Sequence, residues 1–568
     1  MNFSAFSLRS TGWLVLACGV AALFGTGCVE ESSHSHTEVA REAPDALKVV
    51  FTYGSEKEKW IDVMTAEFNA AGHETTSGQP IVVEAIAMGS GECVDEILND
   101  KREVHITSPA SAVFISLGNA ESQTKLGRDL VGPTQDLVLS PVVIAMWKPM
   151  AEALGWPDKA LGWREVHEMA LNEQGWASLN YPQWGRFRFG HTHPEYSNSG
   201  IISLIAETYA GAGKQRGLTL ADVADPKTGQ YLEEIEKAIV HYGRSTGFFG
   251  RKMFSTGPEY LSAAVLYENM VIESCDKEGL PFPVVAIYPK EGTFYSDHPI
   301  GIVDRDHVTA DHRAAAEKYI AFLTAPDQQE RSMEFGFRPA DVTIELNERF
   351  TAQFGVDPQQ PQTTLEVPDV AVTQAILELW HERKKKSNVV LVLDTSGSMK
   401  HESKMANAKG GARQLIEMLG DEDSFSFLPF NDNATLWVMR NEKVGQKRDE
   451  ANRQIGSLFA NGGTALYDAI IEGHRHIAET DATDRINAIV VLSDGADRDS
   501  KQKLEKVISV IAADAESASG GVRVFTIGYG SGALADVLGR IADASRGKYY
   551  EGTPENIEKI FKEISTFF

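Results

Sequence analysis

Short apolar runs alternate with stretches of helical periodicity along most of this chain. LKVVFTYGS ends an apolar run at Gly54 and Ser55 and leads into EKEKWIDVMTAEFNAA, whose apolar positions recur at helical spacing. IVVEAIAMGSGE repeats the pattern and passes into CVDEILND, and LVLSPVVIAMW is a third run, interrupted by Ser140 and Pro141. Strand, tight turn and helix in succession predict an α/β body on a parallel sheet. It spans residues 46–342, enough for two lobes. FGVDPQQPQTTLEVPD, rich in Pro and Gln and without periodicity, reads as a linker. VTQAILELWHERKKK reads as a short helix whose basic end suits its dipole, completing a connecting segment over 343–386. From 387 to 568 the alternation returns: NVVLVLD, a helix from about 403, DSFSFLPF, a helix from about 465, INAIVVLSDG, a helix from about 501, VRVFTIGYG and two closing helices. That is the pattern of a doubly wound open sheet.

The first residues stand apart. MNFSAFSLRS carries one positive charge, Arg9, and TGWLVLACGVAALFGTG is an apolar run of signal-peptide length, so residues 1–27 read as an export signal. Gly25, Thr26 and Gly27 precede Cys28. This resembles the lipobox of bacterial lipoproteins, which implies a lipidated Cys28 as mature N-terminus, although Gly25 stands where a Leu-like residue is usual. A cleaved signal without lipid and an uncleaved anchor remain open. Residues 28–45 are polar and aperiodic, a flexible tether. The folded part is expected outside the cytoplasm, in the cell envelope, facing the periplasm or at the cell surface. After export, Cys93 and Cys275 remain as unmodified thiols; a disulfide between them and two separate thiols are both open. The net charge of −26 excludes an electrostatic nucleic-acid binder, which needs a basic face.

The chemistry concentrates in the last third. VVLVLDTSGSM ends an apolar strand in Asp394, Ser396 and Ser398. GGTALYDA turns tightly at Gly462 and Gly463 to present Thr464 at a helix start, and VVLSDGAD places Asp494 after another strand. In a doubly wound sheet, ligands bind outside the carboxyl ends of the strands, where these three pieces converge. Two carboxylates and three hydroxyls, with no thiolate, are hard oxygen donors suited to Mg²⁺, Ca²⁺ or Mn²⁺. Each element alone is also an ordinary N-cap or turn; it is the three in order that point to a metal. DTSGSM, GGTAL and SDG together resemble the von Willebrand factor A domain. The resemblance implies a metal-ion-dependent adhesion site formed by Asp394, Ser396, Ser398, Thr464 and Asp494, with a protein partner's acidic side chain completing the coordination.

In the N-terminal body, Gly54–Ser55, Gly89–Ser90–Gly91 and HPEYSNSG each precede a helix, where unpaired N–H groups and hydroxyls can cradle an anion. With LVLSPVVIAMW as a crossing segment, VVAIYPKEGTFYSDHPIGIV as the return and GFRP at the close, the body resembles the solute-binding proteins of ABC importers in the molybdate/phosphate-like group. The chain is thus expected to be α/β, a two-lobed periplasmic-binding-protein-like body followed by a doubly wound parallel-sheet von Willebrand A domain. Candidate solute contacts are Ser55, Gly89, Ser90, Ser197, Asn198 and Ser199. No nucleophile elbow, Walker loop or HExxH points to an enzyme. Two readings follow. In the first, an envelope-anchored binding lipoprotein engages a partner through its cation, with the body as second binding or sensing module. In the second, the chain is the receptor of an importer for an oxyanion or small polar solute.

Overall fold

The computed structural model describes residues 45–480, 482, 484–515, 521–529, 535–553 and 556–568. The signal-like run, Cys28 and the tether up to residue 44 lie outside the described residues. Among the described residues, no helix is long and apolar enough to cross a membrane.

Strands β1 (Leu47–Gly54), β2 (Ile81–Met88) and β3 (Ile106–Ser108) pair in parallel, with β1 in the middle, and begin the first lobe. β4 (Val131–Asp136) is its edge strand. The chain then enters a second sheet with β5 (Val138–Trp147), β6 (Phe189–Gly190), β7 (Ala263–Tyr267), β8 (Val284–Ile287) and β9 (Tyr295–Ser296). β10 (Pro299–Val303) returns to the first sheet between β3 and β4, antiparallel to both, and β11 (Arg338–Pro339) closes on β5. Two lobes are therefore joined by three crossings, at residue 137, between Ser296 and Pro299, and between the first-lobe helices after β10 and Arg338 of β11. LVLSPVVIAMW is not broken as expected: β5 is continuous. Pro141, which has no N–H to donate, lies where β5 changes partners from β9 to β7 and β8.

The segment 343–386 is packed rather than free. Arg338 forms a two-pronged pair with buried Glu268, Nε to Oε1 at 2.7 Å and Nη2 to Oε2 at 2.8 Å, and donates to the carbonyls of Asp357, Pro358 and Gln360. Thr293 donates its N–H to Thr363 and accepts that of Leu365 in this strap, and Phe350, Val356 and Leu365 are buried. The helix Val370–Arg383 then lays Trp380, fully buried, against Tyr242 and His193 of the second lobe.

The C-terminal sheet comprises β12 (Ser387–Asp394), β13 (Ser424–Phe430), β14 (Met439–Lys443), β15 (Ile486–Ser493), β16 (Arg523–Tyr529) and β17 (Lys548–Gly552), in the order β14-β13-β12-β15-β16-β17. All pairs are parallel except the edge strand β14. Every residue of β12 is buried, as helices on both faces require. Val389, Leu391 and Leu393 share one core with the helices Lys404–Met418, Val444–Ser457 and Ile557–Ser565. Val390 and Val392 share another with Leu466–Glu479, Leu504–Ala515 and Ala535–Ala544. Each such side chain contributes about 1.5–3 kcal/mol on burial.

Four buried histidines make the fold acid-sensitive. Burial, with neighbouring cations or histidines, lowers His105 and His298 to about 4 and His193 and His241 to about 3. Each is neutral in the native state and takes up a proton on unfolding below the ordinary histidine value, so stability is lost as pH falls towards 4. Glu207, pushed up to about 8 by burial and the charge of Glu236, and Asp297, pushed up to about 6 by burial, run the opposite way and offset two of the four. Each net proton is worth about 1.4 kcal/mol per pH unit. Thermal melts between pH 7 and pH 5 should show a steep fall in melting temperature; a flat profile would mean these rings are hydrated.

Candidate functional site

The parallel register of β12 and β15 sets Leu393 opposite Leu492, which brings Asp394 beside Ser493 and Asp494. Asp394 is fully buried. Its Oδ1 accepts from the Ser396 N–H at 2.7 Å and its Oδ2 from the Ser493 hydroxyl at 2.6 Å. Ser396 and Ser398 hydroxyls lie 3.0 Å apart, and Ser398 donates to Asp494 Oδ1 at 2.6 Å. Thr464 converges from the third loop: a Cβ built on Gly495 would lie 3.8 Å from both Ser398 Oγ and Thr464 Oγ1. Its loop depends on two glycines. Gly462 holds a φ of +79°, and a Cβ on Gly463 would meet Asp499 Oδ2 at 1.9 Å. Asp499 in turn accepts the Thr464 N–H at 2.7 Å. The cluster has a buried floor at Asp394 and an exposed mouth at Ser398.

Burial pushes the Asp394 carboxyl above the usual carboxylate range. The hydrogen bonds from Ser493 and Ser396 restrain the rise, and the charge of Asp494 adds to it. Positive charge reaches this acid pair from Lys404, whose ammonium lies 2.9 Å from Asp494 Oδ2. All donors are oxygens and the two acids are near neighbours, which fits a hard divalent cation. Ser493, Asp499 and Lys404 escaped the sequence reading. Ser493 is the serine of the SDG element, which the sequence reading used only for its Asp494, whereas Asp499 and Lys404 reach the site only through loop geometry.

The body's candidate contacts gather around the seam between the two lobes, but their polar atoms are taken up by other groups of the protein. Ser55 of the first lobe donates to the Ser245 hydroxyl at 2.8 Å and accepts the Gly247 N–H at 3.1 Å. Ser197 pairs with Thr246 at 3.0 Å, and Ser199 with Thr192 at 2.8 Å. Asn198 donates to Tyr267 at 3.0 Å and Ser296 at 3.1 Å and accepts from Ser111. Ser90 instead accepts the Ala110 N–H within its own lobe, at 2.9 Å. The backbones touch: Gly91 N–H donates to the Tyr196 carbonyl at 3.0 Å, and a Cβ on Gly89 would lie 2.3 Å from that oxygen. The lobes are closed on each other. Behind this seam, Lys57 lies 2.8 Å from Glu56 and 3.1 Å from His298, all three buried. The possible disulfide is not made. Cys93 is a buried free thiol close to Thr52 and Lys57, whereas Cys275 is an exposed one beside Asp276 and Arg349.

A third contact joins the C-terminal domain to both lobes. The helix Ile557–Ser565 buries Ile557, Ile560, Phe561 and Ile564, one face at helical spacing, in the core it shares with the helix Lys404–Met418 of its own domain. That leaves Lys562 and Glu563 to face the body. Glu563 pairs with Arg244 of the second lobe at 2.6 Å, and Arg244 also pairs with Glu92 of the first. Lys562 reaches Asp95 of the first lobe at 2.9 Å. Lys384 Nζ donates to the Phe568 carbonyl oxygen at 2.9 Å.

The model of the bacterial extracellular solute-binding protein family matches residues 49–338, just over half of the chain. The chain belongs to that family. Its C-terminal part is a von Willebrand factor type A domain, matched over 388–563. Both are binding or adhesion families rather than enzyme families. Inter-alpha-trypsin inhibitor heavy chain H2 of Mus musculus is 26% identical over 192 residues, 32% of this chain and 20% of that protein. The uncharacterized protein sll0103 of Synechocystis is 29% identical over 185 residues, 32% of this chain and 42% of that protein. This chain therefore spans less than half the length of these curated relatives. Among solved structures, a periplasmic thiamin binding protein is 14% identical, covering 60% of this chain and 96% of its own, with a TM-score of 0.43.

Replacing Arg244 by Met leaves Glu92 without this cation and Glu563 with only Lys548, whose ammonium lies 2.8 Å from its Oε1. For a pair that keeps some solvent contact, this should cost about 2–3 kcal/mol. Hydrogen exchange at the Gly91 amide, which bonds across the lobes, should accelerate in that variant. Unchanged exchange there would mean that the A domain does not hold the seam closed.

Proposed function

We propose that this solute-binding-family chain is an exported, envelope-anchored lipoprotein whose A domain engages a protein partner through a divalent cation, with the body as a second binding or sensing module. The oxygen cluster at the carboxyl edge of the C-terminal sheet carries the reading. Asp394, Ser396, Ser398, Thr464 and Asp494 would hold Mg²⁺, Ca²⁺ or Mn²⁺. When bound, such an ion offers a Lewis-acid position to a carboxylate of an acidic partner. Lys404 competes for the same acid pair, so cation binding has to displace its ammonium from Asp494. Export and anchorage follow from residues 1–27 and Cys28 as a lipidated residue. The proposed boundaries are 28–45 for the tether, 46–342 for the body, 343–386 for the strap and its helix, and 387–568 for the A domain.

The body's solute would be a small polar molecule or oxyanion meeting Ser55, Gly89, Ser90, Ser197, Asn198 and Ser199 once the seam opens. The junction favours sensing over delivery to an importer. A receptor releases its solute by opening its lobes, and here Arg244 and Lys562 link both lobes to the A domain.

The test is thermal unfolding of the full chain in EDTA, Mg²⁺, Ca²⁺ or Mn²⁺. A cation at a hundred times its dissociation constant stabilises the native state by about 2.7 kcal/mol. The rise should vanish in Asp394→Ala and appear at lower cation concentration in Lys404→Met. No shift with any of the three ions would overturn the cation-dependent reading. Equal shifts in wild type and Asp394→Ala would place the ion elsewhere.

A further inference from the structure

At the opposite edge of the A-domain sheet from Asp394, where β15 and β16 begin, a cavity of about 380 Å³ opens between the A domain and the second lobe. Its walls carry six cationic side chains: Arg186, Arg188 and Lys237 from the lobe, Lys385 from the connecting segment, and Arg485 and Arg523 from the A domain. No described residue lining it is acidic. The chain has 80 acidic and 54 basic residues, so composition alone does not produce such a cluster. Lys385, Arg485 and Arg523 give N–H donors to carbonyls, which satisfies those donors without neutralising charge. Lys385 donates to the Ile239 carbonyl at 3.3 Å, Arg485 to those of Ser387 and Glu422 at 3.0 Å, and Arg523 to that of Ser545 at 2.7 Å. Among the described residues, Arg186, Lys237, Lys385, Arg485 and Arg523 have no carboxylate within ion-pair distance.

Arg523 is 4% exposed, and its Nε is buried with no hydrogen-bond partner. Keeping such a group desolvated and unpaired is costly. Burial also lowers Lys385 to about 8, against the pull of Asp484 and Glu236, and Arg186 adds to the fall. The cavity has the size of an ordinary small-molecule site. Arginine's planar fork suits phosphate oxygens, which can neutralise several cations at once.

We infer that this junction is a binding site for a compact, multiply charged phosphate-type anion, held by Arg186, Lys237, Lys385, Arg485 and Arg523 and bridging the solute-binding body to the A domain. The site is separate from both the cation cluster and the interlobe seam. A bound anion would cross-link the two domains electrostatically.

The probe is inorganic pyrophosphate, titrated calorimetrically into the full chain at fixed ionic strength. EDTA is present throughout, so that pyrophosphate cannot act by stripping a metal from the Asp394 site and the result does not depend on that site. Saturable binding of one pyrophosphate per chain is expected. The double variant Arg186→Gln, Lys237→Gln changes only exposed side chains and should weaken binding at least about tenfold, as the loss of charged hydrogen bonds requires. Lys385→Met should also weaken it while raising the melting temperature without ligand, so that lost binding is not mistaken for lost fold. Absence of saturable binding in the parent chain, or equal affinity in both variants, would overturn the inference.

Discussion

Arg244 is the point on which the relative placement of three bodies depends. Its guanidinium lies between Glu92 of the first lobe and Glu563 of the A domain, while its own backbone belongs to the second lobe. Taking charges out of water costs several kcal/mol per ion, and only close pairing on all sides offsets it. Such a triad adds little net stability but strongly penalises alternatives. Displacing the first lobe leaves Glu92 without Arg244, and displacing the A domain leaves Arg244 with Glu92 alone and Glu563 with Lys548 alone. The apolar surroundings, with Trp380 against Tyr242 and Phe567 against His241, supply the burial that makes the pairing selective.

The parallel sheet of the A domain explains why its two ends have opposite character. Parallel strands all finish at one edge and all start at the other. Loops that gather ligands collect at the carboxyl edge, and there Asp394 stands one residue and Asp494 two residues beyond the apolar register of β12 and β15. At the other edge, the residues that open β15 and β16 include Arg485 and Arg523, brought against a lobe that itself offers Arg186 and Lys237. Acid at one pole and base at the other follow from where polar residues flank buried strands.

The same logic determines what could be read from the sequence. Asp394, Ser396, Ser398, Thr464 and Asp494 were legible because each follows a fully apolar run or a glycine turn, and strand register does the rest. Lys404 and Asp499 were not, since their roles are set by loops folding over the strand ends. β14 and the helix Val444–Ser457 were also missed. MRNEK is a mostly polar edge strand, and the helix buries only Val444, Ala451 and Ile455, too thin a stripe to stand out. In the body, two lobes and a return segment were legible from alternating runs, but the closed seam was not. Ser55 and Ser245 are 190 residues apart in the chain, and nothing local in either announces the other. The Pro- and Gln-rich strap looked free because its anchors are backbone carbonyls received by Arg338, which leave no hydrophobic period.

The closed seam and the A-domain junction share groups, and that sharing has a thermodynamic consequence. Glu92 belongs to the helix that starts at the Gly89–Ser90–Gly91 turn, and its side chain also accepts the Gly89 N–H, so the residue that meets Arg244 is also the one that shapes the turn facing Tyr196. Arg244 adjoins Ser245, which meets Ser55. Opening the lobes for a solute therefore disturbs the contacts that seat the helix Ile557–Ser565. Coupling free energy is reciprocal: whatever the solute does to the docking of the A domain, docking does to the affinity for solute. A rigid tether between two independent modules would have no such linkage. Here the linkage runs through side chains that are each committed to both contacts, so a change in lobe closure reaches the A domain without any rearrangement inside its sheet.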